Sequence, residues 1–418
     1  MKRISASASQ ALIFAGAALL LSPGPGAASA QVILGVPARP AFSPQIPAII
    51  SRPASGDNLA PRDYAQAVER FARYVAGKKP GIKNPDNLPF LLTHGRKTQR
   101  AILMVHGLAD SPYYMRALAN VFHESGYNVI GILLPGHGTR PEDLLHVDLE
   151  EWQREVEFGL AVAQELGDVV SMSGFSTGGA LILDALAKNY ASRLRLHSAF
   201  ESPIPGLVRN SPRDIEDIFL FSPALKIADK RVKWGCQIPW LVTIFRPYRE
   251  GDVPETKPFN YNKMAINAVC QLYDLTVDVS RGRENILSSI GDHNIGVFTV
   301  QSEADGTVRA DAVVEFMKDL PPGAAKNFIL YPKDEGIRHA DVTRPETNPF
   351  YAELQKKIRE FVARKRQPAL GPRLQSDPQS RSLDYLRSWD ESGTSLDSIL
   401  NSKPKPVALP PIPIGKPN

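Results

Sequence analysis

Cysteine is nearly absent from this chain: Cys236 and Cys270 are the only two among 418 residues. That excludes a small scaffold held together by a disulfide framework and a multi-cysteine metal cluster. Paired histidines are missing as well. The 8 histidines are scattered and none stands at metal-ligand spacing, so neither a resident metal nor another cofactor is expected. A surplus of one charge is missing: 49 basic residues face 44 acidic ones, a formal net charge of +5. No basic run is interleaved with aromatics, which speaks against nucleic acid as a partner. The one long basic cluster, Lys356-Lys357 through Arg364-Lys365-Arg366, is interrupted by Glu360 and reads as a solvated helix face. Internal repeats are missing too. So are apolar runs long enough to span a bilayer, which needs about 20 residues.

The proline content is uneven, and it divides the chain. Lys2 and Arg3 precede an uncharged stretch from Ala11 to Leu21, and Ala28-Ser29-Ala30 follows. A basic start, a short apolar core and a small-x-small site are the marks of an export signal over residues 1–30. The expected location is therefore secreted or periplasmic, with an uncleaved anchor as the alternative. The weak positive bias would suit peripheral contact with an acidic envelope surface. Oligomeric state is not legible. In an exported chain, two cysteines point to one bridge, Cys236–Cys270; two buried thiols are the alternative.

Residues 31–87 hold a Pro-rich lead-in and then an amphipathic helix over 63–76, with Tyr64, Ala67, Val68, Phe71 and Val75 on one face. Apolar runs at 88–92, 101–105, 127–133, 168–173, 217–222, 295–300 and 327–331 read as strands alternating with helical patterns. That alternation predicts an α/β fold with a mostly parallel sheet flanked by helices. The tail, 367–418, has six prolines in its last 16 residues and is expected to be an extended, disordered arm.

Chemistry enters at Gly174-Phe175-Ser176-Thr177-Gly178. The pentapeptide follows the apolar run 168–173 and precedes the helical pattern Gly179–Leu186. A G-x-S-x-G between strand and helix places the serine on a sharp turn, its hydroxyl at the positive end of the helix. A plain small-residue turn is the bland alternative. A serine nucleophile needs a base, and the base needs an orienting carboxylate. His339 follows the strand at 327–331 and is the candidate base; His293 precedes a strand and so lies at the wrong edge. Asp305, on the loop after 295–300, is the candidate acid, with Glu303 two residues earlier as its competitor. Two amides must bind the oxyanion. The candidates are Thr177, after the serine, and Leu108, after Val105-His106-Gly107. His94-Gly95 is read as a structural charged hairpin turn, and His137, between two glycines, as a loop organiser.

These segments resemble the α/β-hydrolase superfamily, in its branch of bacterial carboxylesterases and monoacylglycerol lipases related to serine aminopeptidases. The resemblance covers about Ala101–Ala187 and Asn294–Val362. It is carried by Val105-His106-Gly107-Leu108, Leu134-Pro135-Gly136-His137-Gly138, Gly174–Gly179, Ala304–Val308 and His339. It implies Ser176 as nucleophile, Asp305 as acid, His339 as base, and Leu108 and Thr177 as oxyanion donors. It also implies a hydrolase core in two parts, 88–223 and 291–366, with a cap inserted at 224–290. The cap's aromatics, Trp234, Trp240, Phe245, Tyr248, Phe259 and Tyr261, would line an acyl pocket or form the cap's own core. Two features depart from the pattern: Leu108-Ala109-Asp110-Ser111 in place of a glycine-rich segment, and a long stretch from Asn189 to Glu216. The expected activity is hydrolysis of a small acyl ester or lipid. The alternatives are a serine aminopeptidase and a non-catalytic binding protein on the same fold.

Overall fold

Apolar strands that alternate with amphipathic helices have one economical arrangement, a sheet buried on both faces. The computed structural model describes residues 62–199, 215–236, 248–250 and 258–364. Seven strands form the main sheet: β1 (Phe90–Leu92), β2 (Thr98–Val105), β3 (Tyr127–Ile132), β4 (Gly167–Phe175), β5 (Ile215–Phe221), β8 (Gly296–Ser302) and β9 (Lys326–Tyr331). Their spatial order is β1-β3-β2-β4-β5-β8-β9. β1 pairs antiparallel with β3 and every other pair is parallel. A small antiparallel pair, β6 (Tyr248–Glu250) and β7 (Lys263–Ala265), stands apart.

Side-chain alternation along β2 sorts the core into two layers. Leu103 and Val105 face one layer with Ile130, Ile132 and Met172; Ile102 and Met104 face the other with Val129, Phe219 and Phe298. All five residues from Ala101 to Val105 are fully buried, as expected of a central strand covered on both sides. The first layer is covered by α1 (Arg62–Lys78), α3 (Leu149–Leu166) and α4 (Thr177–Ala199). The second is covered by α2 (Arg116–Glu124) and the last helix, Tyr351–Ala363.

The predicted N-terminal helix is α1, and Tyr64, Ala67 and Phe71 are its buried face, with Val68 and Val75 packed beside them. Two local expectations change. His94-Gly95 is not a hairpin, because β3 lies between β1 and β2. It is a corner, held where the His94 amide donates to Asn128 Oδ1 at 2.9 Å. The helix after Ser176 runs on to Ala199, so the long stretch before β5 begins as helix.

Within 224–290, a short helix α5 (Arg231–Gly235) is followed, after β7, by α6 (Ile266–Arg281) and α7 (Arg283–Asp292). Both α6 and α7 pack on α4. Cys236 and Cys270 are joined in a disulfide that ties the end of α5 to α6, with Cα atoms 5.2 Å apart. Trp234 is 71% exposed, whereas Phe259 stacks on Tyr113 and Tyr261 is buried. Trp240, Phe245, the export signal, the Pro-rich lead-in and the C-terminal tail lie outside the described residues.

Candidate active site

The sequence places four functional segments immediately after strands, and the parallel sheet gathers them at its carboxyl edge. β2 runs into the loop that carries Leu108. β4 ends at Ser176, β8 leads to Asp305, and β9 leads to His339. His293 ends α7 at the opposite edge, where its Nδ1 lies 3.0 Å from Ser289 O.

Ser176 has φ 53, a left-handed conformation that is unusual for a residue with a Cβ. The surroundings hold it there. Its amide donates to Phe221 O at 2.9 Å, and its carbonyl accepts from the amides of Ala180 and Ala224 at 3.2 and 3.0 Å. The flanking glycines are needed because strand and helix cross almost in contact. A Cβ on Gly178 would collide with the Val105 carbonyl oxygen, and one on Gly174 with the Gly178 backbone. Gly107 is similarly confined, since a Cβ there would stand 2.8 Å from the Phe175 ring.

The Ser176 hydroxyl oxygen lies 2.8 Å from His339 Nε2, and His339 Nδ1 lies 2.6 Å from Asp305 Oδ2. The Phe175 ring packs beside the imidazole, 5.0 Å between centroids. Asp305 is anchored on its other oxygen by the amides of Thr307 and Val308, at 2.8 and 3.0 Å. Gln301 Nε2 also donates to Oδ2 at 3.1 Å. Burial pushes this carboxyl up, but the His339 contact and the two amides outweigh it, and its pKa is held below the usual aspartate value. Glu303 accepts the Lys333 amide at 3.2 Å and turns to solvent. Of the two sequence candidates for the acid, the structure brings only Asp305 to the histidine.

Thr177 begins α4, so its amide is among the first four, which have no intrahelical acceptor. Leu108 sits in a tight turn in which Asp110 N–H donates to Gly107 O at 3.3 Å and Ala109 takes φ 57. Tyr261 N–H, from the inserted segment, donates to Ala109 O at 2.8 Å and fixes that turn. His106 supports it from beneath. Its Nε2 accepts the Leu134 amide at 3.1 Å, so Nδ1 carries the proton and donates to Gly107 O at 2.8 Å. Burial, with His137 alongside, keeps its pKa well below the ordinary histidine value. His137 is the loop organiser that its position implied: its Nδ1 lies 3.0 Å from Pro135 O, and burial lowers its pKa to about 4.

Two residues here carry no local motif. Asp110, in an Asp-Ser-Pro stretch that reads as a turn, is 6% exposed, and Arg344, five residues after His339, is 8% exposed. Only their burial marks them, and burial is a product of the folded chain. Among the described residues, no group of acidic, histidine or cysteine side chains could hold a metal ion.

A mostly parallel sheet with one antiparallel edge, carrying a serine on a strained strand–helix turn joined to histidine and aspartate, defines an α/β-hydrolase. Residues 96–340 match the family model described as "Serine aminopeptidase, S33", and the chain belongs to that family. It is similar to a thermostable monoacylglycerol lipase of Bacillus sp. (strain H-257), 35% identical over 82 residues. That match spans 20% of this chain and only 33% of the lipase. It is also similar to a carboxylesterase of Bacillus subtilis (strain 168), 24% identical over 227 residues, 54% of this chain and 78% of that one. Among solved structures, one from a study of the metagenome-derived lipolytic enzymes LipS and LipT has a TM-score of 0.49 and 19% identity. It covers 68% of this chain and 98% of its own.

Proposed function

We propose that this chain is a serine hydrolase of carboxylic esters, of the carboxylesterase or acylglycerol-lipase type. The observation that carries the reading is the continuous hydrogen-bonded series Ser176–His339–Asp305, with the serine in a left-handed turn. The names of the two similar Bacillus proteins, a lipase and a carboxylesterase, support an ester as substrate.

In this reading Ser176 Oγ attacks the ester carbonyl and His339 Nε2 takes its proton. Asp305 holds the Nδ1–H tautomer and stabilises the imidazolium that forms. The tetrahedral oxyanion is bound by the Leu108 and Thr177 amides, at the positive end of α4. His339 returns the proton to the departing alcohol, leaving an acyl-enzyme on Ser176. Water, deprotonated by His339, then attacks the acyl carbon; the acyl–Oγ bond breaks, Ser176 Oγ takes the proton back from His339, and the acid is released. Every proton is accounted for by His339, so no cofactor is required. The signal-like pattern over residues 1–30 supports export, secreted or periplasmic, and the weak positive charge supports peripheral envelope contact; a mature protein beginning at Gln31 would agree with this reading.

A second reading, a serine aminopeptidase, is favoured by the description of the family model. It would use the same three residues, but would need carboxylates to receive a charged amino terminus. The two readings separate in a comparison of p-nitrophenyl esters with aminoacyl-p-nitroanilides. The ester reading expects the higher kcat/KM on short- and medium-chain esters; a higher value on the anilides would replace it with the peptidase.

A further inference from the structure

The turn that carries Leu108 is held in a shape its own residues disfavour. A Cβ on Gly107 would stand 3.3 Å from Ser176 Cβ, so the turn borders the serine directly. The Gly107 carbonyl and the Leu108 amide share one planar peptide and point opposite ways. That carbonyl is held by Asp110 N–H at 3.3 Å and by His106 Nδ1 at 2.8 Å. The next residue is the weak point. Ala109 takes φ 57, a conformation that glycine adopts freely and that crowds the Cβ of alanine. A glycine-rich segment would take this shape without strain, but Leu108-Ala109-Asp110-Ser111 contains no glycine. The conformation therefore needs a restraint from outside the turn.

The inserted segment supplies one. Residues 258–261 lie against the turn as a strap, and Tyr261 N–H donates to Ala109 O at 2.8 Å. Tyr261 is itself clamped: its hydroxyl donates to Gly136 O and accepts Thr139 N–H, each at 2.9 Å. At the other end of the strap, Asn87 Nδ2 donates to Pro258 O at 3.2 Å, and Asn87 Oδ1 accepts the Ser111 hydroxyl at 3.0 Å. Between these anchors Phe259 stacks on Tyr113, with ring centroids 3.5 Å apart. Asn87 and Tyr261 are both buried, so their bonds are shielded from competing water. A phenylalanine at 261 would fill the same space. Only the tyrosine hydroxyl reaches both backbone groups.

We propose that Tyr261 is a positioning residue for the oxyanion site: its clamped amide keeps Ala109 left-handed and so keeps the Leu108 amide in place for the oxyanion. The inference rests on the serine-hydrolase reading and deepens it. The test uses Tyr261→Phe in the full chain, which keeps the ring and loses the clamp. Turnover of p-nitrophenyl butyrate should lose about tenfold in kcat, less than the roughly 10²–10³ lost with a whole donor. KM should stay within about twofold, since the lost interaction acts in the transition state. Pentyl trifluoromethyl ketone reports on the same site. Ser176 Oγ adds to its carbonyl, His339 takes the serine proton, and the resulting oxyanion needs the same amides. Its Ki should rise by the same factor as kcat falls, while that of pentyl methyl ketone, which binds without adding, should not change. Ala109→Gly in the Tyr261→Phe background should restore most of both losses, because glycine takes the left-handed conformation without strain. Unchanged kcat, a loss confined to KM, equal weakening of both ketones, or no rescue by Ala109→Gly would each overturn the role. Where Tyr261→Phe does not fold, Phe259→Leu loosens the strap at a half-buried ring and should raise the trifluoromethyl ketone Ki several-fold; an unchanged Ki would overturn the role as well. A wild type that binds the two ketones equally would instead overturn the serine-hydrolase reading itself.

Discussion

At the residue scale, the acid beside His339 is decided by one contact. Asp305 receives the imidazole and two amides, whereas Glu303 caps a neighbouring turn and faces solvent. Asp305→Asn should therefore lower kcat by roughly 10⁴, by the loss of the correct histidine tautomer. Glu303→Gln should change it by less than about threefold, the size of effect expected of a single exposed contact. The reverse ranking in steady-state kinetics would assign the acid to Glu303. Asp110 gives a pH prediction of the opposite sign to the usual aspartate. Its pKa rises from 3.8 to about 7 on folding, chiefly by burial. Below 3.8 both states hold the proton and nothing is lost. Between about 4 and about 7 only the folded state holds it, so stability falls as pH rises and then levels off. Asp110→Asn removes this term. The denaturation midpoint of wild type relative to the variant should decline from pH 4 to pH 7, and a constant difference would contradict the burial of an acid there. The Ser176 and His339 positions were legible because strand, glycine and histidine follow one another in the chain. Arg344 was not, since the Tyr114 ring it covers lies 230 residues away along the chain, and Asp110 was not, since only the folded chain buries it.

At the scale of elements, periodicity carried most of the fold. The run Ala101–Val105 reads as a strand buried on both faces, and each of its side chains is fully buried. The face of α1 was legible for the same reason, three of its five apolar positions being buried. Pairing was harder. Neighbouring strands joined by a short charged turn invite a hairpin, yet β1 crosses to β3 because β2 is occupied on both sides by parallel partners. The sequence also stops the α4 pattern too early, since polar residues past Leu186 conceal a helix that ends at Ala199. The disulfide is an element-scale device: it joins α5 to α6 across 34 residues. Opening it should cost about 3–4 kcal/mol by loop entropy. The check is a denaturant titration of the Cys236→Ser/Cys270→Ser double variant against the oxidised protein. Equal midpoints, or two titratable thiols in the denatured, unreduced protein, would contradict the bridge's contribution.

At the scale of the whole molecule, the proposed chemistry draws on residues between Leu108 and His339, all within the family match at 96–340. The tail from 367 onward lies outside that match, and six of its last 16 residues are proline. Truncation after Gln367 should leave kcat/KM on a small soluble ester within about twofold, since each residue of the proposed chemistry precedes it. A larger loss would place the tail on the enzyme's working surface. The proposed nucleophile is a single serine, held in a left-handed turn against His339. The most direct measurement is labelling of the intact protein with a fluorophosphonate, followed by peptide mapping by mass spectrometry. A single adduct on Ser176 is expected, lost together with ester hydrolysis in a folded Ser176→Ala variant. An adduct on another serine, or hydrolysis that survives in that variant, would contradict it.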